Sequence, residues 1–226
     1  MIDSWISTAE TYAGDEKRFV DDLVAVTPGA IDLEMGLPAD QDTAGEDRTA
    51  PRMDMVVAQG VEVAFWEAKC AVNTELRARA SYKERPDNRY HEGPRVIWQL
   101  RRYQRWMSRP FRLSQVRDAY VEAAQLLLGL AELWGKQGRE LAASGQKTAV
   151  VLPPGIVVAG YCPVRADGFP RIEDSAYLAK IKSFGEHEAK LRRHGVTVVT
   201  VNGRPSEPVL PTLGPGFISA EEREVP

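Results

Sequence analysis

The sequence predicts a mixed α/β domain with a central sheet and helices on its faces. Three observations predict it. Apolar residues recur at three- and four-residue spacings in some segments and alternate in others. Two β-rich runs stand side by side with only Gln59 and Gly60 between them. The 226 residues are 43% hydrophobic and 27% charged, which is ordinary globular composition. One domain over residues 1–203 is expected, followed by a Pro-, Gly- and Glu-rich tail at 204–226.

The elements follow in order. Residues 3–26 read as a helix, with Ile6, Ala9, Ala13, Glu16, Val20 and Leu23 on one side, ended by Thr27, Pro28 and Gly29. Ala30 to Met35 is a short strand. Gly36 to Pro51 is acidic and rich in turn formers, hence a loop. Met53–Ala58 and Val61–Cys70 make a hairpin. Asn73 to Gly93 has no period and reads as a long loop. Pro94 suits the first turn of a helix that runs to Ser108. A second helix runs from Ser114 to Trp134. Ala149–Leu152 and Ile156–Tyr161 are two β pieces split by Pro153, Pro154 and Gly155. Ser175–Arg193 is one charged amphipathic helix, and Val196–Val201 is the last strand.

The charge is unevenly spread. The whole chain carries −3, but residues 77–112 hold 11 basic residues against three acidic, a local +8 that leaves −11 elsewhere. Such a partition suits an anionic partner or a cation site. Cys70 and Cys162 are far apart and read as reduced thiols in a cytoplasmic protein. The N-terminal residues lack a basic segment followed by an apolar run, so no signal peptide is expected. The most apolar stretch, Leu126 to Ala131, is too short to span a bilayer.

The chemistry concentrates in Asp54 and in Glu67-Ala68-Lys69. On a strand, Glu67 and Lys69 share a side with Val61, Val63 and Phe65. Two charges among apolar groups need partners or a metal. Asp54, on the preceding strand, is placed to bring a second carboxylate toward Glu67. Two carboxylates suit Mg²⁺ or Mn²⁺ together with phosphate oxygens, and a lysine suits positioning water or stabilising developing charge. The same three residues would also serve as a salt-bridged strand end. Gln99 and Tyr103 stand four apart on the following helix, on one face with Val96, Leu100 and Met107.

This set resembles the PD-(D/E)xK nuclease superfamily, in its RecB-like and λ-exonuclease-like branch. Asp54, Glu67 and Lys69 match the acid and E-x-K positions, and Gln99 and Tyr103 match Q-x-x-x-Y. The proline that usually precedes the acid is replaced by Met53. The resemblance covers about two-thirds of the chain. It implies a restriction-endonuclease-like α-β-β-β-α-β core and Mg²⁺- or Mn²⁺-dependent hydrolysis of DNA, more exonuclease than endonuclease. It implies a metal held by Asp54 and Glu67 with a nearby carbonyl such as that of Ala68, and catalytic support from Lys69, Gln99 and Tyr103. It also implies a glutamate from the first helix, for which Glu16 is the candidate, ahead of Glu10 and Glu34.

Arg85, Arg89, Arg95, Arg102 and Arg105 are the candidate DNA contacts, since arginine suits phosphate. Tyr82, Tyr90, Trp98 and Trp106 interleave with the basic segment and are candidates for stacking on single-stranded DNA or free ends. No helicase motif is present, so a helicase or recombination partner would be a separate protein. Two rival readings stand beside this one. One is a non-catalytic nucleic-acid-binding module that keeps the fold. The other is an assembly protein whose basic face binds an acidic protein.

Overall fold

Gln59 pairs with Glu62 across a two-residue turn, and this turn starts the sheet. Gly60 sits at φ +59° in the left-handed region, where glycine carries no Cβ penalty. In the computed structural model, the described residues are 14–36, 52–77, 81–83, 90–109, 111–126, 139–143, 145–163 and 175–211. The expectations for residues 3–13, 37–51, 84–89, 127–138 and 212–226 lie outside them.

In chain order the elements are helix α1 (Asp15–Val26), strands β1 (Ala30–Gly36), β2 (Arg52–Gln59), β3 (Glu62–Cys70), β4 (Ser81–Lys83) and β5 (Tyr90–Glu92), helices α2 (Arg95–Met107) and α3 (Arg112–Leu126), strand β6 (Ala149–Ala159), helices α4 (Ser175–Lys182) and α5 (Phe184–Arg193), and strand β7 (Val198–Val201). Five strands form one sheet in the order β1-β2-β3-β6-β7. β1, β2 and β3 run antiparallel and β6 with β7 parallel, so the sheet is mixed. Hydrogen bonds from Ala149 N to Val61 O and from Ala71 N to Ala159 O mark the two ends of the β3–β6 pairing. The class is mixed α/β with a central mixed sheet, as the sequence predicts.

The described chain divides into two compact units. The first holds α1, the end of β3 from Ala68, the segment through Val96, β6 from Ile156, α4, α5 and β7. Its core includes Phe19, Leu23, Leu76, Ile156 and Leu191. Phe19 meets Tyr161 edge-on at 5.9 Å, and Tyr161 donates to buried Asp22 at 2.8 Å. Arg204 bonds the other oxygen of Asp22 at 2.7 Å, so the charge buried on α1 is matched. The second unit holds β1, β2, β3 through Glu67, α2 from Ile97, α3 and β6 through Gly155. Met53, Met55, Phe65, Tyr103 and Met107 fill its core, and the rings of Phe65 and Tyr120 lie 6.3 Å apart.

Three expectations are corrected. The segment after β3 is not all loop, because β4 and β5 pair as a two-stranded sheet with Tyr82 opposite His91. The Pro153-Pro154-Gly155 stretch does not split a strand. β6 runs unbroken through it, because proline's fixed φ is compatible with extended backbone and pairing with β7 begins only at Ile156. Gly155 belongs there for a packing reason: a Cβ would stand 2.5 Å from the Trp66 ring. Residues 175–193 are two helices rather than one. Arg77 Nη2 takes the Lys180 carbonyl, and the Ser183 hydroxyl bonds the same carbonyl at 3.1 Å, at the point where α4 gives way to α5.

Candidate functional site

Val63 to Cys70 of β3 are buried throughout, so the strand is covered on both faces. Glu67, in the second unit, is 1% exposed. A carboxylate there needs hydrogen bonds. α2 supplies one: Gln99 Nε2 donates to Glu67 Oε1 at 2.6 Å and lies 2.9 Å from Tyr103 Oη. Tyr103 Oη in turn donates to Arg52 O at the start of β2. Glu67 Oε2 is 3.5 Å from that hydroxyl, whose single proton is directed at Arg52 O. Val96, Leu100, Tyr103 and Met107 are buried, as the helical spacing predicts. The buried side of α2 thus faces its Gln and Tyr toward the strand that carries Glu67.

Asp54 is half-buried on β2. The paired register of β2 and β3 ends at Met55 opposite Trp66, and Asp54 and Glu67 are the next residues along the two strands. Successive strand residues alternate faces, so the residues next after a facing pair leave on a common side. The backbone therefore presents the two carboxylates on one side of the sheet. Among the described residues, no three His, Cys, Asp or Glu side chains converge as a metal-binding group.

Lys69 belongs to the first unit and is 7% exposed. Its ammonium stands 3.7 Å from Glu16 Oε2 and 3.9 Å from Glu75 Oε2. Asn73 organises both acids. It caps a one-turn 3₁₀ helix (Thr74–Leu76), its Oδ1 accepting from Glu75 N at 2.8 Å, while its Nδ2 donates to Glu16 Oε1. Fully buried Leu76 anchors the turn. Arg95 Nη1 bonds the other oxygen of Glu75 at 2.8 Å. Burial, followed by the charges of Glu16 and Asp15, pushes the Cys70 thiol up to about 12, so it is a protonated structural thiol at neutral pH. Cys70 and Cys162 are both free.

The two units therefore take different predicted residues. Asp54, Glu67, Gln99 and Tyr103 gather in the second, where two hydrogen bonds from Gln99 join the last three. Lys69 and Glu16 meet in the first. Ala68, between Glu67 and Lys69 on β3, is fully buried. Glu34 is an exposed residue of β1 and lies 3.8 Å from Arg52; Glu10 lies outside the described residues.

Among the candidate DNA contacts, Arg95 is engaged by Glu75. The Arg102 guanidinium lies 4.6 Å over the Trp98 ring, and Arg105 is exposed. Arg85 and Arg89 lie outside the described residues. Trp106 is buried and covered by Arg112 at 4.7 Å, so its ring packs in the protein.

Sequence reasoning missed Asn73 and Glu75. The available signal was local: Asn followed two positions later by Glu, at the start of a turn, is a capping pattern.

Within the described residues, no helix is long and apolar enough to cross a membrane. No protein-family profile, no curated protein and no solved structure matches this chain.

Proposed function

We propose that this protein is a metal-dependent nuclease that hydrolyses DNA phosphodiester bonds on a restriction-endonuclease-like core. The observation that carries this reading is the 2.6 Å bond from Gln99 to buried Glu67. It joins the Q-x-x-x-Y helix to the E-x-K strand through the residues that define the two motifs. A Gln and Tyr used only for packing would need no such contact. The order α1, β1, β2, β3, α2, with the small β4–β5 pair inserted before α2, supports the same core. The preference for an exonuclease rests on the Q-x-x-x-Y resemblance. The free thiols of Cys70 and Cys162 fit a cytoplasmic location, which belongs to the proposal.

The donor chemistry fits Mg²⁺ or Mn²⁺. Such ions are held by one or two carboxylates with waters and substrate phosphate oxygens, and Asp54 and Glu67 are two carboxylates on neighbouring strands. When bound, the ion would lower the pKa of a water and neutralise phosphate charge. Gln99 holds Glu67 in one rotamer, and Tyr103 ties α2 to β2 two residues before Asp54. Lys69 supplies a fixed ammonium to orient a water or stabilise charge. Glu16 and Glu75 hold that ammonium, so in this reading Glu16 positions Lys69 rather than binding metal.

A non-catalytic nucleic-acid-binding module is the second reading. The two carboxylates beside Lys69 favour it, because an ammonium so engaged has a structural role of its own.

Linear, circular and single-stranded DNA incubated with Mg²⁺ or Mn²⁺ separates the two. Wild type is expected to cleave, with Glu67→Gln and Lys69→Ala lower by about 100-fold or more. Failure to cleave any substrate overturns the nuclease reading. Salt-sensitive DNA binding without cleavage supports the second.

A further inference from the structure

Between α2 and α3 the second unit displays an aromatic ring to solvent. Phe111 is 80% exposed. Its φ is +67°, in the left-handed region that bulky residues rarely adopt. The surrounding hydrogen bonds fix it there. Phe111 O accepts from Gln115 N at 2.9 Å and from the Ser114 hydroxyl at 2.8 Å, and Arg112 N donates to Arg109 O at 3.1 Å. A bulky residue held in a strained conformation with its ring in water is unfavourable on both counts for stability, and such outliers gather at functional positions.

The neighbouring charge identifies the occupant. From Gly93 to Arg117 the chain has seven arginines and no acidic residue. Arg101 and Arg105 are exposed and four apart on α2, and Arg109 continues that spacing just past the helix. The Arg112 guanidinium carbon lies 4.7 Å over the Trp106 ring, and Arg112 is next to Phe111 in the chain. A ligand complementary to this corner carries repeated negative charge and a flat apolar face. Single-stranded or frayed nucleic acid has both. An acidic peptide supplies the charge without a regular planar face.

We infer that Phe111 is a stacking platform for an unpaired or terminal nucleobase, with Arg105, Arg109 and Arg112 holding the adjoining phosphates. This rests on the nucleic-acid part of the function proposed above and not on its catalytic part.

The test is binding of a single-stranded oligonucleotide with 2-aminopurine at its end, in EDTA so that no cleavage occurs. Stacking on wild type is expected to change the probe's fluorescence. Phe111→Gly removes the ring and suits the positive φ, so its thermal midpoint should equal or exceed that of wild type. Its affinity should fall about fivefold to a hundredfold, and the fluorescence change should vanish. Phe111→Trp should keep both signals. Arg109→Gln should lower the salt slope of binding by about one.

Equal affinity and fluorescence for wild type and Phe111→Gly overturns the inference. So does wild type that binds an acidic peptide or anionic vesicles in preference to the oligonucleotide. Loss of stacking in Phe111→Gly with no cleavage by wild type in Mg²⁺ supports the inference and removes the catalytic reading alone. Cleavage by wild type with unchanged binding by Phe111→Gly does the reverse.

Discussion

Gln99 Nε2 donates to Glu67 Oε1 at 2.6 Å, although 32 residues separate them in the chain. The bond satisfies a carboxylate that is 1% exposed, and it links a side chain of α2 to one of β3. Replacing Gln99 with Leu leaves that oxygen without this donor in a buried place. The expected loss of stability is about 1–3 kcal/mol, read from urea unfolding. Tyr103→Phe removes the bond to Arg52 O and is expected to cost about 1 kcal/mol. If the proposed nuclease activity holds, both variants should also lower metal-dependent cleavage, since Glu67 is then less firmly oriented. Unchanged urea midpoints would contradict the hydrogen-bond assignment.

Asn73 connects two acids to Lys69. Asn73→Ala removes the cap of the Thr74–Leu76 turn and the donor to Glu16 together. The capping loss alone is expected to cost about 1 kcal/mol. Asn73→Asp keeps an acceptor for Glu75 N but sets a carboxylate against Glu16. It should therefore restore only part of the stability, and raising the salt concentration should narrow the gap to wild type. Full rescue by Asp at low salt would show that the Glu16 contact contributes nothing.

Alkaline pH should unfold the protein through buried acids that resist ionisation. The Cys70 thiol is raised from an ordinary 9.0 to about 12, by burial first and then by Glu16 and Asp15. Burial followed by the Asp32 charge raises the Tyr120 phenol, and burial followed by the hydrogen bond to Asp22 raises Tyr161. Folded chains hold these protons more tightly than unfolded ones do. Their contribution is complete below about pH 9 and declines as pH climbs toward 12 and beyond. Urea midpoints measured at pH 7, 9, 10 and 11 should be similar for the first two and then fall. In the same samples, native Cys70 should resist alkylation until the chain unfolds.

Two glycines should respond oppositely to alanine. At Gly155 an added Cβ would lie 2.5 Å from the Trp66 ring, so Gly155→Ala is expected to destabilise by about 1–3 kcal/mol. At Gly185, inside α5, an added Cβ meets nothing within 4 Å, and alanine should stabilise by about 0.5–1 kcal/mol. Thermal unfolding of the two variants checks the signs.

Much of the fold was legible because its signals are local. The alternation of Met53–Ala58 and Val61–Cys70 around Gln59 and Gly60 announced a hairpin, and Pro94 with the spacing of Val96, Leu100, Tyr103 and Met107 announced α2. The errors came where a distant group decides a local conformation. Arg77 lies over a hundred residues from Lys180 and Ser183, and its guanidinium bonds both at the α4–α5 junction. The two prolines before Gly155 read as a break, yet the strand continues where Trp66 leaves room only for glycine.

The same division runs through the candidate residues. The sequence by itself determined which chemistry the chain carries: carboxylates at Asp54 and Glu67, an ammonium at Lys69, and a Gln and a Tyr on one helix face. Those are properties of side-chain type and of strand and helix period. Tertiary structure alone decided the partners. It paired Gln99 with Glu67, stood Glu16 and Glu75 beside Lys69, engaged Arg95 with Glu75, buried Trp106 under Arg112, and left Phe111 in water. Burial and hydrogen bonding depend on which segments meet across long stretches of chain, and local periodicity carries no record of that.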